Sequence, residues 1–283
     1  MASIAVPTGG DASPPLPEIS TDTFTVCGIR VHVQGLNKHG PNTPLTCVHL
    51  LHGRLCTHKD MSRIARALLS LRDSPALVCA SFDARNHGER EAWKPANHSW
   101  RDGNPSHAID LFSVYHGTAL DLALVVDYLP VYLRRPLRHI AVGFSLGGHA
   151  AFLSLDIPNV CAAAAVVGCV DYTKLMMHRA EKSRVDPASV FAHGLAEVVT
   201  KVDPAARGAE AVSNSWQGKK VLAVFGGADP LVPYDCSREF LREVRDLGVV
   251  DITEVVIDGV GHVCTDEMGR KVARFVVKCA QEP

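Results

Sequence analysis

A serine flanked by glycines is the part of this sequence that points most directly to chemistry. Ser145 is the centre of Gly143-Phe144-Ser145-Leu146-Gly147, a G-x-S-x-G pattern. The residues before it predict a strand and those after it predict a helix, which places the serine in the sharp turn of a nucleophile elbow. A glycine-rich start of a helix is the simpler interpretation of the same residues.

A serine hydroxyl is a weak nucleophile unless a base takes its proton and an acid orients that base. Asp229 follows a predicted strand, in a loop with two prolines, and His262 follows the last predicted strand. We therefore predict Ser145, His262 and Asp229 as nucleophile, base and acid. Alternatively, Asp229 is a turn or capping residue and Asp235 or Asp258 is the acid, or His262 is an ordinary loop histidine.

Acyl transfer also needs two N–H donors for the negative charge that develops on the carbonyl oxygen. The backbone of Leu146, the residue after the nucleophile, is predicted to supply one. The other is predicted in the loop after an early strand, where Gly53 lets the backbone approach a substrate closely. The N–H of Arg54 is the first choice there and Leu55 the second. The Arg54 side chain either pairs with a substrate carboxylate or is solvated at the surface.

Strands and helices alternate along the chain from residue 24. A predicted hairpin at 24–33 is followed by strands at 46–51, 76–82, 139–144, 160–170, 220–225 and 252–257. The predicted helices are one capped by Asp60 and others at 118–129, 147–155, 237–247 and 266–279. Near-continuous apolar strands that alternate with helices predict an α/β fold with a parallel sheet covered on both faces.

The pattern divides the chain into three predicted parts. Residues 1–22, rich in Gly, Pro and small polar residues, predict a flexible tail. Residues 23–170 and 215–283 form the predicted core. Residues 171–214 are too long for an ordinary connection between strands and predict a helical lid. Four residues are predicted to line the substrate pocket: His52, Phe144, Met176 and Met177.

Composition excludes several classes of protein. The 283 residues are 47% apolar and carry 29 basic against 30 acidic side chains, for a net charge of −1. This apolar content disfavours disorder, and the absence of a basic excess disfavours a nucleic-acid partner. Uncharged apolar runs fall short of the about 18 residues that span a membrane, so no membrane association is predicted.

Cysteine and histidine usage predicts no metal and no cofactor. The nine cysteines form no CxxC pair, and the 14 histidines include no HExxH motif. His49 and His52 are three apart on or at the end of a strand, so they are expected to face opposite sides. No glycine pattern for phosphate or dinucleotide binding is present. These features predict a cytoplasmic protein with reduced thiols, and they leave its oligomeric state open.

Five motifs together resemble the serine α/β-hydrolase superfamily over residues 25 to 280: LLHG, FDARNHGER, GFSLGG, GGADPLVP and GVGHV. The order Ser145, Asp229, His262 is also the order of that fold. The resemblance implies an eight-stranded, mostly parallel sheet with a lid after the sixth strand, and hydrolysis through an acyl-enzyme. Asn86 stands where the superfamily usually has Gly. Epoxide hydrolases and haloalkane dehalogenases need Asp where this chain has Ser145.

We therefore predict a serine hydrolase that cleaves a small-molecule carboxylic ester or thioester through an acyl-enzyme. The alternatives within the same fold are an acyltransferase, a lyase or a small-molecule receptor, because a fold alone does not determine function. A peptidase or a carbon–carbon bond hydrolase would use the same three residues.

Overall fold

The computed structural model describes residues 19–71, 75–191 and 194–282. Most of the predicted tail, residues 1–18, therefore lies outside the described residues. Its last two residues, Thr21 and Asp22, begin the first strand.

The described residues form one eight-stranded sheet. The strands are β1 Thr21–Val26, β2 Ile29–Gln34, β3 Leu45–Leu51, β4 Leu77–Ser81, β5 Leu137–Phe144, β6 Val160–Val166, β7 Lys220–Gly226 and β8 Asp251–Ile257. Their order across the sheet is β1-β2-β4-β3-β5-β6-β7-β8. β2 is antiparallel to β1 and β4, and the other neighbours are parallel. The predicted α/β fold with a mostly parallel eight-stranded sheet is confirmed.

Helices cover both faces of the sheet. They are α1 His58–Leu69, α2 His107–Leu133, α3 Leu146–Ser154, α4 Tyr172–Ser183, α5 Pro187–Val190, α6 Leu195–Val202, α7 Pro204–Arg207, α8 Ala209–Trp216, α9 Asp235–Asp246 and α10 Asp266–Gln281. α2, α3, α8 and α9 pack in one apolar cluster with the sheet, and α1 and α10 pack in a second. Helices on both faces bury the inner strands β3, β4, β6 and β7 along almost their whole length.

The start of α1 differs from the prediction. Asp60 is not its N-cap: Thr57 is, and its side chain accepts a hydrogen bond from the N–H of Lys59. The Asp60 carboxylate accepts from the Thr57 N–H at 2.7 Å, as the partner in a capping box. Sequence spacing alone did not distinguish the cap from the residue three positions later.

α2 is much longer than the predicted helix at 118–129. Its first turns contain His107, Asp110 and His116, whose polar side chains concealed a helix in the sequence. Tyr115 and other apolar residues of these turns are buried in a third apolar cluster. The helix is long and apolar enough to cross a membrane, but 61% of its most apolar window is buried inside the molecule. A buried core helix can be as long and as apolar as a helix that spans a membrane, so these two properties do not distinguish them.

Five helices begin in the described part of the segment predicted as a lid. α4 and α6 pack with α2 in the third cluster, where Met176 and Val199 are buried. α8 instead packs in the cluster of the sheet, with Val212 and Trp216 fully buried. The predicted boundary at residue 214 falls inside α8. β6 also ends at Val166, four residues before the predicted end of that strand.

Candidate active site

The turn between β5 and α3 holds Ser145 in a strained conformation. Its φ is 53° and its ψ −112°, outside the regions that ordinary side chains favour. The flanking glycines are needed for close packing. A Cβ on Gly143 would overlap the carbonyl group of Gly147, and a Cβ on Gly147 would overlap the carbonyl group of Leu51. The turn therefore packs directly against the end of β3.

Two hydrogen bonds join Ser145 to His262 and His262 to Asp229. The Nδ1 of His262 lies 2.7 Å from Asp229 Oδ2, and its Nε2 lies 2.8 Å from Ser145 Oγ. Because a carboxylate only accepts hydrogen bonds, Nδ1–H donates to Asp229 and Nε2 is left to accept from the serine hydroxyl. The three predicted residues are thus brought together with the geometry of a general base between a nucleophile and an acid.

The backbone of its own loop holds the Asp229 side chain. Its Oδ1 accepts from the N–H of Leu231 at 2.9 Å and of Val232 at 3.0 Å, while the residue is only 5% exposed. Of the alternative acids, Asp235 lies on α9 and forms an ion pair with Arg238. Among the described residues, Asp229 is the carboxylate that bonds to His262.

Of the two residues predicted to supply an oxyanion hole, Leu146 directly follows this serine and Arg54 lines the same cavity. Leu146 is the first residue of α3, where an N–H has no acceptor within the helix. The loop of Gly53 and Arg54 leaves β3 next to the serine turn, and a Cβ on Gly53 would lie 3.0 Å from the Phe144 ring. Leu55, in the same loop, has a φ of 64°.

His52 holds this loop in place. Its Nε2 accepts from the backbone N–H of Ala84 at 2.9 Å, so its Nδ1 carries the proton and donates to the Gly53 carbonyl at 2.8 Å. Burial lowers the pKa of His52 to about 4, which keeps the ring neutral. His52 was predicted as a pocket residue, but it is buried behind the loop.

A cavity of about 690 Å³ opens over Ser145 and His262. Phe144 lines it, as predicted. Met176 does not, because it is fully buried in the cluster of α2 and α4. Met177 is 38% exposed and also lies outside the lining, as does His52. The apolar residues of α4 do not show in the sequence which face of the helix turns towards the serine.

The cavity is also lined by charged and aromatic residues that were not among the predicted pocket residues. Trp100 and Arg101 come from a short 3-10 helix, and Arg179 and Lys182 come from α4. Only Arg54 gave a signal in the sequence: a substrate carboxylate was one of the two partners considered for its side chain. The other three cations come from segments without a motif.

Asn86 occupies the position where the superfamily usually has Gly. Its φ of 58° is left-handed, a conformation that Asn tolerates better than most residues. Its side-chain oxygen accepts from the N–H groups of Ala92 and Trp93, and its carbonyl accepts from Asn97. The Asn97 carbonyl in turn accepts from Arg54 at 2.8 Å. The substitution thus fits the backbone and orders the loop that supports Arg54.

One group of side chains in the described part of the chain has the ligand types of a metal site. Cys47, His49 and His139 are buried on β3 and β5, with their potential ligand atoms within 4.8 Å of one another. The ring nitrogens His49 Nε2 and His139 Nδ1 lie 2.9 Å apart, at hydrogen-bonding distance. Burial lowers the pKa of His139 to about 4. The group does not line the cavity at Ser145.

No family model matches this chain, and none of the curated proteins matches its sequence. Solved structures do resemble it. TT1662 from Thermus thermophilus is 22% identical with a TM-score of 0.70, over 94% of this chain and 100% of that one. The Pyrococcus furiosus esterase Pf2001 is 18% identical with a TM-score of 0.59, over 92% of both chains.

A third structure resembles the chain over part of its own length. The acylaminoacyl peptidase of Pyrococcus horikoshii is 13% identical with a TM-score of 0.61, over 93% of this chain and 41% of that one. At these identities, the likeness establishes a shared fold.

Proposed function

We propose that this chain, which has the α/β-hydrolase fold, is a serine hydrolase that cleaves a carboxylic ester or thioester through an acyl-enzyme. The observation that carries the proposal is the continuous hydrogen bonding from Ser145 through His262 to Asp229, at the floor of a cavity. Esterases among the structural neighbours support the same reaction class.

In the proposed acylation, Ser145 Oγ attacks the carbonyl carbon of the ester while His262 Nε2 takes the hydroxyl proton. The Asp229 carboxylate stabilises the imidazolium that forms, through the bond to Nδ1. The N–H groups of Leu146 and Arg54 bind the oxyanion, and one such donor contributes about 3–4 kcal/mol to transition-state stabilisation. His262 then protonates the leaving alcohol or thiol, which leaves the acyl group on Ser145.

Water completes the proposed reaction. His262 Nε2 takes a proton from the attacking water, a second tetrahedral intermediate forms, and Ser145 leaves with the proton from His262. If an alcohol or amine replaced water in this step, the same residues would perform acyl transfer. We propose water as the acceptor because solvent-exposed side chains such as Arg101 and Lys182 line the cavity, so that water can enter it.

The helices before α8 are proposed to cover the substrate. α4 lies over the loop of the acid: Arg179 donates to the Leu231 carbonyl at 3.2 Å, and Lys182 donates to the Pro230 carbonyl at 3.1 Å. Both carbonyls belong to the segment directly after Asp229. Any movement of α4 would therefore act on the loop that orients the catalytic acid.

Ser145→Ala tests the proposal. We expect purified wild-type chain to hydrolyse p-nitrophenyl butyrate and the variant to lose at least about 10³-fold in kcat, since the nucleophile is absent. Ser113→Ala is the matched control, because Ser113 is an exposed serine on α2. Wild-type activity in Ser145→Ala, with a fold unchanged by circular dichroism, would overturn the proposal.

A further inference from the structure

Four cationic side chains line the cavity at the serine. Arg54 comes from the loop after β3, Arg101 from a short 3-10 helix, and Arg179 and Lys182 from α4. Arg54 and Arg179 are half-buried, whereas the other two are exposed. Four positive charges from three separate segments of the chain thus face one space.

None of the four forms an ion pair with a carboxylate of the described residues. Neutral groups accept their hydrogen bonds instead: backbone carbonyl groups and, for Arg179, also the hydroxyl of Tyr115. Arg54 donates to Asn97, Arg101 to Lys182, and Arg179 to Leu231. A neutral acceptor orients a guanidinium group but does not neutralise its charge.

The acidic residues of the cavity are already engaged. Asp60 and Asp102 line it, but Asp60 accepts from the N–H and hydroxyl of Thr57. Asp102 accepts in the same way from the N–H and hydroxyl of Ser99. Both carboxylates therefore cap short segments of the backbone, and the cations outnumber them.

Neighbouring groups respond to this positive charge. Burial and the positive charge of Arg179 lower the pKa of Arg54, against smaller opposing contributions from Tyr115 and Asp102. Burial, followed by Arg179 and Arg54, lowers the pKa of His107 to about 3. The two guanidinium groups are thus close enough to repel each other. A half-buried cation that forms no ion pair is stabilised when an anion binds beside it.

We propose that this cavity binds an anionic substituent of the substrate, a carboxylate or a phosphate group, between Arg54 and Arg179. This rests on the proposed function and names its substrate class: esters or thioesters that carry a negative charge away from the scissile bond. Guanidinium groups suit this role because their planar donors bind both oxygens of a carboxylate or phosphate. Arg54, Arg179 and Ser145 line the same cavity, so an ester whose carbonyl lies at the serine can place its remote anionic end between the two guanidinium groups.

Two esters of equal chain length test the proposal. Mono-p-nitrophenyl adipate ends in a carboxylate, and p-nitrophenyl hexanoate ends in a methyl group. With the wild-type chain at low salt, we expect kcat/KM to be at least about tenfold higher for the adipate, a difference of about 1.4 kcal/mol. Spontaneous hydrolysis of each ester is subtracted. Equal values, or a preference for hexanoate, would overturn the proposal while leaving the hydrolase function intact.

Removal of one cation tests the residue assignment. In Arg179→Met, we expect the adipate-to-hexanoate ratio of kcat/KM to fall by at least about fivefold, since one partner of the anion is lost. Arg242→Met is the matched control, because Arg242 is exposed on α9 and lies outside the cavity lining. The ratio should stay unchanged there. An equal change in both variants would indicate a general charge effect and would contradict the assignment.

Inhibition distinguishes the two kinds of anion. Adipate and inorganic phosphate are each tested as competitive inhibitors of hexanoate hydrolysis, and the stronger inhibitor identifies the group that the site prefers. If neither adipate nor phosphate inhibits, the proposal is contradicted.

If neither ester is hydrolysed, the hydrolase function fails. Calorimetric titration of adipate and phosphate into wild type and Arg179→Met then decides whether the cations bind an anion: weaker binding to the variant supports this, and equal or absent binding overturns it.

Discussion

At the scale of single residues, the loop beside the serine depends on one neutral histidine with two different partners. His52 accepts from the Ala84 N–H and donates to the Gly53 carbonyl. These bonds attach the loop that carries the Arg54 N–H to the segment after β4. Protonation of His52 would turn its acceptor nitrogen into a donor that faces another N–H, and its lowered pKa avoids this at neutral pH.

His52 is therefore a positioning residue, and its removal should reduce turnover more than binding. In His52→Ala, we expect kcat for p-nitrophenyl butyrate to fall about 10²-fold, since a misplacement of about 1 Å costs that much, with a small change in KM. His52→Gln keeps an acceptor for the Ala84 N–H and should recover part of kcat. Wild-type kcat in His52→Ala would show that the loop does not need this support.

At the scale of elements, a buried carboxylate joins the helices between β6 and β7. Asp203 accepts from the N–H of Tyr172 at the start of α4 and from the N–H of Ala206 in α7. It is 4% exposed, and burial raises its pKa to about 7. The folded protein thus favours the protonated carboxyl, whereas an unfolded Asp ionises near pH 4.

This shift gives stability a defined dependence on pH. Because the folded state binds the proton more tightly, the contribution of Asp203 is fully present below about pH 4 and is lost as pH rises towards about 7. Asp203→Asn cannot ionise. We expect the variant, measured against wild type in thermal unfolding, to gain relative stability as pH rises from about 5 to about 8. A difference in Tm that does not change with pH would contradict this account of the buried carboxyl.

The elements that carry the three proposed catalytic residues were predictable from local chemistry. β5, β7 and β8 are parallel, and Ser145, Asp229 and His262 all follow their carboxyl ends. Motifs at the ends of apolar strands therefore converge at one edge of the sheet. The beginning of α2 was not predictable, because polar residues such as His107, Asp110 and His116 interrupt its apolar pattern, and its apolar residues pack in a cluster that exists only after folding.

At the scale of the whole molecule, the cavity combines segments that are far apart in the sequence. Arg54 precedes Arg179 by more than a hundred residues, and no motif links them. Their convergence depends on how α4 packs over the loop after β7, which hydrophobic periodicity does not specify. For the same reason Met176 and Met177 were misplaced in the pocket. The sequence predicts well which strand ends bring the three proposed catalytic residues together, and predicts poorly which residues line the cavity beside them.

The molecule also leaves one face of the serine accessible to a reagent. The cavity reaches both Ser145 and His262, so a small electrophile can enter where the ester would bind. A fluorophosphonate reacts much faster with a serine that a neighbouring base has activated, and its phosphorus mimics the tetrahedral intermediate. This separates a catalytic serine from the serine of a receptor with the same fold.

Labelling of the wild-type chain by a fluorophosphonate, with the adduct located by peptide mass spectrometry, is the most direct test of the central proposal. We predict one adduct, on Ser145, and its loss in His262→Ala, where the base is absent. No adduct under conditions that label a control esterase, or an adduct on another residue, would contradict the account of Ser145 as an activated nucleophile.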